Sequence, residues 1–519
     1  MTDILRTPDD IRVFCENERA DAAVEAAVKG DGLEIYLTAT EARVKRILLR
    51  WNFATRTPVK VMGDKWERAY GDMCWHSLSG EIFMPWYFLA SDGNTTVGYG
   101  VKVRPNGYVC FQYDASGITC HIDVRNGGRG VCLNGRRLHA CTVICERYEG
   151  ITEFEAAKRF CARMCTDPVL PEAPVYGSNN WYYAYGVSSK EDIIKDASLL
   201  ASLTEGLENR PFMVIDDGWS KNSCAGPWLP NEKYGDMGEI ARIFREKDLK
   251  AGIWFRPLHD VEAEESHPEW CIKKDGGRKW LLDPTHPEVK EYLRQTVRRI
   301  REWGYELIKH DYSTFDLFER YGFSLNGMIT SNGDWHFYDN AKTNAEITKE
   351  LYRLIQDEAG SAVVIGCNTV SHLCAGIHAV NRIGDDTSGR HWSRTRTLGI
   401  NSLAFRMCQN NTFYSADADC VGVLEKNIPW SLNKKWLYLL AKSGTPLFVS
   451  LQPEAVTEEM RADLKEAFKI NSVQQNAAIP LDWTYNNTPS LWEIDGETEE
   501  FDFIEDSYPV LLDGNTQPY

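Results

Sequence analysis

Between residues 175 and 470 the sequence alternates short apolar runs with loops and amphipathic helical patterns, and this rhythm restricts the possible folds more than any other feature. Eight strand candidates stand in it: Asn180 to Tyr185, Phe212 to Asp216, Lys250 to Phe255, Glu306 to Asp311, Ala362 to Cys367, Val380 to Gly384, Thr412 to Ala416 and Pro446 to Ser450. Strands that alternate with helices pair in parallel, and eight of them close most economically into a barrel. The helices carry end signals. Thr285-His286-Pro287-Glu288 reads as a capping box with proline in the first turn, followed by Val289, Tyr292, Leu293, Val297, Ile300 and Trp303 on one face before Gly304. Ser188 with Glu191 predicts the start of an earlier helix in the same way.

The flanks have another texture. Residues 1–170 show alternating runs such as Leu33-Glu34-Ile35-Tyr36-Leu37 separated by Gly and Asn turns, which predicts an antiparallel sandwich closed by a helix near Glu153 to Met164. Arg125-Asn126-Gly127-Gly128-Arg129-Gly130 reads as a hairpin turn. Prolines 168, 171 and 174 mark a stiff connector. Alternation returns in Leu491 to Ile494 and Phe501 to Ile504, predicting a small β-unit over 473–519. The expected fold is therefore α/β: a central (β/α)8 TIM barrel over 175–472, an N-terminal antiparallel β-sandwich over 1–170 and a small C-terminal β-domain.

Acidic residues outnumber Lys plus Arg by 75 to 58, a net charge of −17, and no basic run is present. That argues against nucleic acid and anionic membranes as partners. Fifteen scattered cysteines, with only Cys141/Cys145 and Cys161/Cys165 close together, suggest reduced thiols in a cytoplasm. The amino terminus lacks a signal-like pattern and no apolar run spans a bilayer, so a soluble cytoplasmic protein is expected.

In such a barrel, residues at the carboxyl ends of strands face one mouth. Asp216 and Asp217 end the second strand, Trp254 lies near the end of the third, Lys309 and Asp311 end the fourth, Cys367 the fifth, and Arg382 and Asp386 the sixth. Gathering so many charges in one pocket is costly without a task. Two carboxyls opposed across a pocket are what glycosidic bond cleavage requires.

Asn180-Trp181-Tyr182, Val214-Ile215-Asp216-Asp217-Gly218-Trp219, Gly252-Ile253-Trp254, Lys309-His310-Asp311, Ile365-Gly366-Cys367, Arg382-Ile383-Gly384-Asp385-Asp386-Thr387 and Asp417-Ala418-Asp419-Cys420 occur in one order. In that order the sequence resembles the α-galactosidases of glycoside hydrolase family 36 over residues 175–450, and their compact bacterial members in layout. The resemblance implies cofactor-free, metal-independent, retaining hydrolysis of a terminal non-reducing α-galactosyl residue on a small oligosaccharide or glycoside, by a protein compatible with a homo-oligomer. It implies Asp311 as nucleophile and Asp386 as acid/base, with Asp385 the other candidate for the latter. It implies Asp216 and Asp217 as acceptors for the 4- and 6-hydroxyls, Trp181 and Trp254 as walls, Lys309 and Arg382 on the ring hydroxyls and Cys367 near the 2-position. Asp417 and Asp419 resemble supporting residues.

Retention needs two carboxyls about 5–5.5 Å apart in different protonation states. Lys309, two residues before Asp311 on one strand face, is expected to keep Asp311 ionised, and Asp385 to keep Asp386 protonated by like-charge repulsion. Trp75 is expected in the sandwich core, with the mouth as the other option. His310, Arg256 and the loop Cys367 to His372 depart from the family pattern. An α-N-acetylgalactosaminidase or β-L-arabinopyranosidase is accordingly an alternative. From other classes, a metal-dependent hydrolase using His259, Asp260, His310 and Asp311, or a non-catalytic sugar-binding barrel, stays open. His259, His310, His372 and His391 form no recognised metal-binding spacing.

Overall fold

The computed structural model describes residues 3–503 apart from 275–276, 326 and 331. Its centre is one sheet whose hydrogen-bonded order is Ser415–Asp417, Val380–Arg382, Val363–Gly366, Leu307–His310, Lys250–Phe255, Phe212–Ile215, Tyr176–Asn179, Leu447–Leu451 and Cys420–Val423. Every pairing is parallel. The two edge segments are separated in the chain only by Ala418 and Asp419, so the sheet curls until its edges belong to one stretch of sequence. Asp419 holds φ +77°, the kink at which pairing passes from one neighbour to the other.

Strands buried on both faces read as continuous apolar runs. Alternate residues then divide between the two sides of the sheet. Val214, Leu307, Ile365, Val380 and Phe448 cluster inside the curl, while Ile215, Ile253, Ile308 and Val364 join the core beneath the surrounding helices. Helices Pro287–Glu302 and Asn344–Ala359 pack together outside, as do Trp430–Lys442 and Glu458–Asn471.

Four expectations about element bounds and caps shift. The first strand is Tyr176–Asn179, and Trp181–Ala184 is a helical turn instead of the expected strand over 180–185. The seventh lies at Ser415–Asp417 with Cys420–Val423, later than 412–416. The third shift is at a helix start, where Ser189 with Asp192 forms the capping box, one residue beyond Ser188 and Glu191. Ahead of Pro287–Glu302, His286 is the cap while Thr285 bonds Asp283.

The N-terminal residues form two antiparallel sheets. Their facing sides meet through Phe88 and Tyr99 of one and Phe111 and Tyr113 of the other. Helix Glu153–Met164, capped by Thr152, lies over the strand Thr95–Val101. There Gly98 leaves room for Phe160, whose ring a Cβ would meet at 2.4 Å. The bridge Asn126↔Arg129 forms the tight turn expected over 125–130. Ile479–Pro480, Leu491–Ile494 and Glu497–Glu500 make a small antiparallel sheet near the end; Phe501 to Phe503 add no strand, and Ile504 onward lies outside the described residues.

The N-terminal sheets are locked to the parallel sheet by buried polar contacts. Arg406 pairs with Asp64 at 2.8 Å, both with fully buried side chains. Ala69 makes a parallel bridge to Gly384, with Ala69 N–H donating to Ile383 at 2.7 Å and Asp385 N–H to Ala69 at 3.0 Å. The segment 64–71 thereby pairs with the chain just past the carboxyl end of the sixth strand.

Candidate functional site

The fourth strand, Leu307–His310, sets the floor. Alternation turns Lys309 into the curl, where it lines one small cavity with Arg382, Asp417 and Asp419. His310 turns outward and meets His378 at 3.1 Å under the helices. Lys309 Nζ reaches across the interior to Asp216 Oδ2 at 2.7 Å, an oxygen that also accepts from Asn179 Nδ2 at 2.6 Å. Burial works against the Lys309 charge, yet the Asp216 carboxylate outweighs it and holds the ammonium well above the usual lysine range.

Asp311 follows directly, its amide donating to Phe255 at 3.1 Å. Tyr312 takes φ +61°, a conformation costing about 1–3 kcal/mol for such a residue. Its amide donates to Asp311 Oδ1 at 2.7 Å. Trp254 Nε1 donates to Oδ2 at 3.2 Å. The expected Lys309 partner is thus corrected: the ammonium bonds Asp216, while Asp311 is held by two neutral N–H donors. Trp254, expected as an apolar wall, serves Asp311 through its indole N–H.

Asp217 accepts from Gly218 N–H at 2.7 Å and the Ser223 hydroxyl at 2.9 Å. Burial, reinforced by the charges of Asp216 and Asp311, pushes it up to about 6.

The sixth strand supplies the opposite wall. Arg382, buried, donates to Asp386 Oδ1 at 3.0 Å and pairs with Asp419 at 2.6 Å. Its Nη1 lies 3.8 Å from Cys367 Sγ, a thiol that burial raises well above its usual range. Arg68 arrives from the N-terminal segment, 3.0 Å from Asp385 and 3.7 Å from Asp386. Asp385 also faces Arg394 at 3.6 Å, on the turn leading into the π-helical stretch Thr395–Asn401. Gly384 permits this closure, because a Cβ there would meet the Leu398 carbonyl at 2.2 Å.

The electrostatics of Asp386 overturn one expectation. Partial desolvation works to raise its carboxyl, but Arg382, Arg68 and Lys309 together hold it below the usual carboxylate range. Repulsion from Asp385 does not decide the matter, since that side chain is turned into the arginine pair. Asp419, by contrast, is pushed up to about 6 by burial, against Arg382 and with help from Asp386 and Asp417. It accepts from Thr387 N–H at 2.6 Å and from the Tyr182 hydroxyl. Asp417 in turn accepts from the Asp419 amide at 2.9 Å.

The structure therefore joins Asp216 with Lys309, Trp254 with Asp311, and Cys367 with Arg382 and Asp386. Trp181 stands apart from these bonds, half-buried at the rim, its amide donating to Asn179 at 2.8 Å and its ring edge-on to Tyr185 at 5.3 Å. Trp75 packs edge-on at 5.5 Å on Trp483. Sequence reasoning missed Arg68 and Asn179, and quoted Tyr182 in a motif without the role of its hydroxyl on Asp419. A correctly placed first strand would have flagged Asn179, whereas nothing in periodicity marks Arg68. His259 bonds Glu264 at 2.9 Å and His372 bonds the Val101 carbonyl at 2.9 Å, so the four histidines are dispersed. Among the described residues no three His, Cys, Asp or Glu side chains are grouped to hold a metal ion, and no helix is long and apolar enough to cross a membrane.

A curled parallel sheet with two antiparallel sheets before it, and a cluster of acids and cations at its carboxyl ends, places the chain with a defined set of solved architectures. An α-galactosidase from Thermus thermophilus, solved with p-nitrophenyl α-D-galactopyranoside, superposes with a TM-score of 0.64 at 15% identity, over 95% of this chain and 97% of that one. A family 36 α-galactosidase variant from Geobacillus stearothermophilus, bound to 1-deoxygalactonojirimycin, gives 0.60 at 14% identity over 93% and 76%. The galactosidase domain of an α-galactosidase-sucrose kinase gives 0.59 at 16% over 93% and 75%. At these identities the likeness establishes the fold. No protein-family model matches the chain, and no curated protein matches it.

Proposed function

We propose that the chain is a retaining exo-α-galactosidase in which the curled sheet is a (β/α)8 barrel over 175–472, preceded by a sandwich over 1–170 and followed by a β-unit over 473–519. One observation carries the reading. Asp311 and Asp386 leave the carboxyl ends of the fourth and sixth strands, Asp311 held by the Trp254 indole and the Tyr312 amide and Asp386 by the Arg382 guanidinium. The shared fold with solved α-galactosidases supports the choice of substrate.

Asp311 attacks the anomeric carbon. Its two N–H donors orient the carboxylate without a full countercharge, which leaves it nucleophilic. Asp386 gives a proton to the departing oxygen and later takes one from water. Its cations keep it ionised while the site is open. A sugar seated over the side chain, 40% exposed here, removes water and pushes the carboxyl up. Asp216, bonded by Lys309, and Asp217 accept the axial 4-hydroxyl and the 6-hydroxyl, and a sugar lacking those donors leaves buried acceptors unpaired.

The test is turnover of p-nitrophenyl α-galactoside, α-N-acetylgalactosaminide and β-L-arabinopyranoside, with the anomer of the first-formed sugar read by NMR. Fastest release from the galactoside with α-galactose appearing first is expected. No turnover of any of the three would end the proposal, and β-galactose first would end retention.

A further inference from the structure

The loop after the fourth strand carries more aromatic surface than the chemistry at Asp311 uses. Tyr312 lies 6.4 Å from Trp254 and 6.2 Å from Phe315, edge-on to both. Phe315, Tyr321 and Phe323 then stack in series, with centroids 4.5 and 5.8 Å apart and planes within 24° and 19°. Tyr70, from the N-terminal segment, meets Phe323 edge-on at 5.2 Å, and Arg68 sits 5.7 Å over the Tyr70 ring. Arg68 is the residue 3.7 Å from Asp386. The rings thus run from the indole that bonds Asp311 to the arginine beside Asp386.

This wall is fixed in place. Glu67, fully buried, accepts from Gly322 N–H at 2.5 Å, from the Tyr70 hydroxyl at 2.6 Å and from the Asn368 amide. Asn368 Oδ1 accepts from Phe315 N–H at 2.9 Å. Gly322 approaches so closely that a Cβ would meet the Tyr70 ring at 2.5 Å. Phe323 nevertheless remains 58% exposed at the end of the stack. A rigid aromatic face held in water binds a flat apolar surface without an ordering cost.

We propose that this wall is the aglycone site, and that Phe323, the exposed end of the stack, packs on the C–H face of the first pyranose ring beyond the scissile bond. The inference rests on the galactosidase reading, because the leaving group departs on the side of the carboxyl that protonates it. That carboxyl, Asp386, borders the wall through Arg68. Stacked rings select a flat saccharide, and an aglycone with no ring gains nothing from them.

The experiment compares kcat/KM for an α-1,6-linked galactosyl disaccharide with that for α-galactosyl fluoride, whose leaving group has no ring to stack. In Phe323→Ala the disaccharide-to-fluoride ratio should fall about tenfold, carried by KM, and Phe323→Trp should restore it. Tyr485→Ala, at a ring 74% exposed near the carboxyl end, serves as control and should keep the wild-type ratio. Wild-type turnover of both substrates with an unchanged ratio in Phe323→Ala would overturn the aglycone site and leave the galactosidase. A shift in sedimentation of Phe323→Ala with the ratio unchanged would also overturn it, making the ring a contact between copies. A wild type that hydrolyses neither substrate removes the galactosidase reading and this site with it.

Discussion

The two acids at the mouth stand in opposite surroundings. Asp311 is held by neutral donors, the Trp254 indole and the Tyr312 amide, all within one contiguous part of the parallel sheet. Asp386 is held by guanidinium groups, Arg382 from its own strand and Arg68 from a different sheet system. A carboxylate meant to attack needs orientation, and neutral donors give it without stabilising the charge strongly. A carboxylate meant to exchange a proton needs a tunable environment, and charged neighbours exposed to a changing amount of water provide one.

The contrast makes ordered predictions. Asp311→Asn removes the attacking atom and should lower kcat on every α-galactoside by about ten-thousand-fold or more, read by initial rates. Asp386→Asn should cost about 100- to 10,000-fold on saccharide leaving groups. It should largely spare glycosylation from a p-nitrophenyl galactoside, seen as a pre-steady-state burst. Equal losses on both substrates would assign the proton to another group and dissolve the contrast.

Arg68→Met takes one cation from Asp386, so the protonated carboxyl becomes easier to keep. The alkaline limb of kcat/KM, which reports that proton in the free enzyme, should therefore move to higher pH, with about a tenfold change in rate at most. An unmoved limb in a folded variant would mean that Arg68 serves only Asp385.

The smallest effect expected is at Asp217, raised to about 6 by burial. Below that pH it is protonated and accepts hydroxyls weakly; above it the charged acceptor binds more tightly. Galactose inhibition should strengthen as pH rises through about 6, and Asp217→Asn should flatten the profile. The sign for stability is the reverse. The folded state keeps a proton that the unfolded chain sheds above its ordinary carboxylate range, so this group's contribution falls as pH rises from about 4 to 6.

The parallel strands were legible because buried strands are short apolar runs between helices, and the fourth strand's alternation fixed Lys309 inward. The first strand was misplaced because Tyr176–Asn179 contains Gly, Ser and Asn, weak strand formers, while the neighbouring Trp181-Tyr182-Tyr183 carries the aromatic signal without the conformation. The partner of Lys309 was misjudged because spacing within a strand says nothing about reach across the interior of the curled sheet, where Asp216 waits. The charge state of Asp386 was only half legible: Arg382 lies on its own strand, but the second guanidinium, Arg68, comes from a segment with no helical or strand periodicity of its own.

The bridge between Ala69 and Gly384 has a practical corollary for anyone dissecting this chain. Cutting the chain at the proline-rich connector would yield a parallel-sheet half with both acids present but one guanidinium, one buried glutamate and one tyrosine short. Its pocket would lack a side. The amino-terminal sheets are better regarded as one side of the pocket than as an appendage, and minimal versions should keep the 64–71 segment.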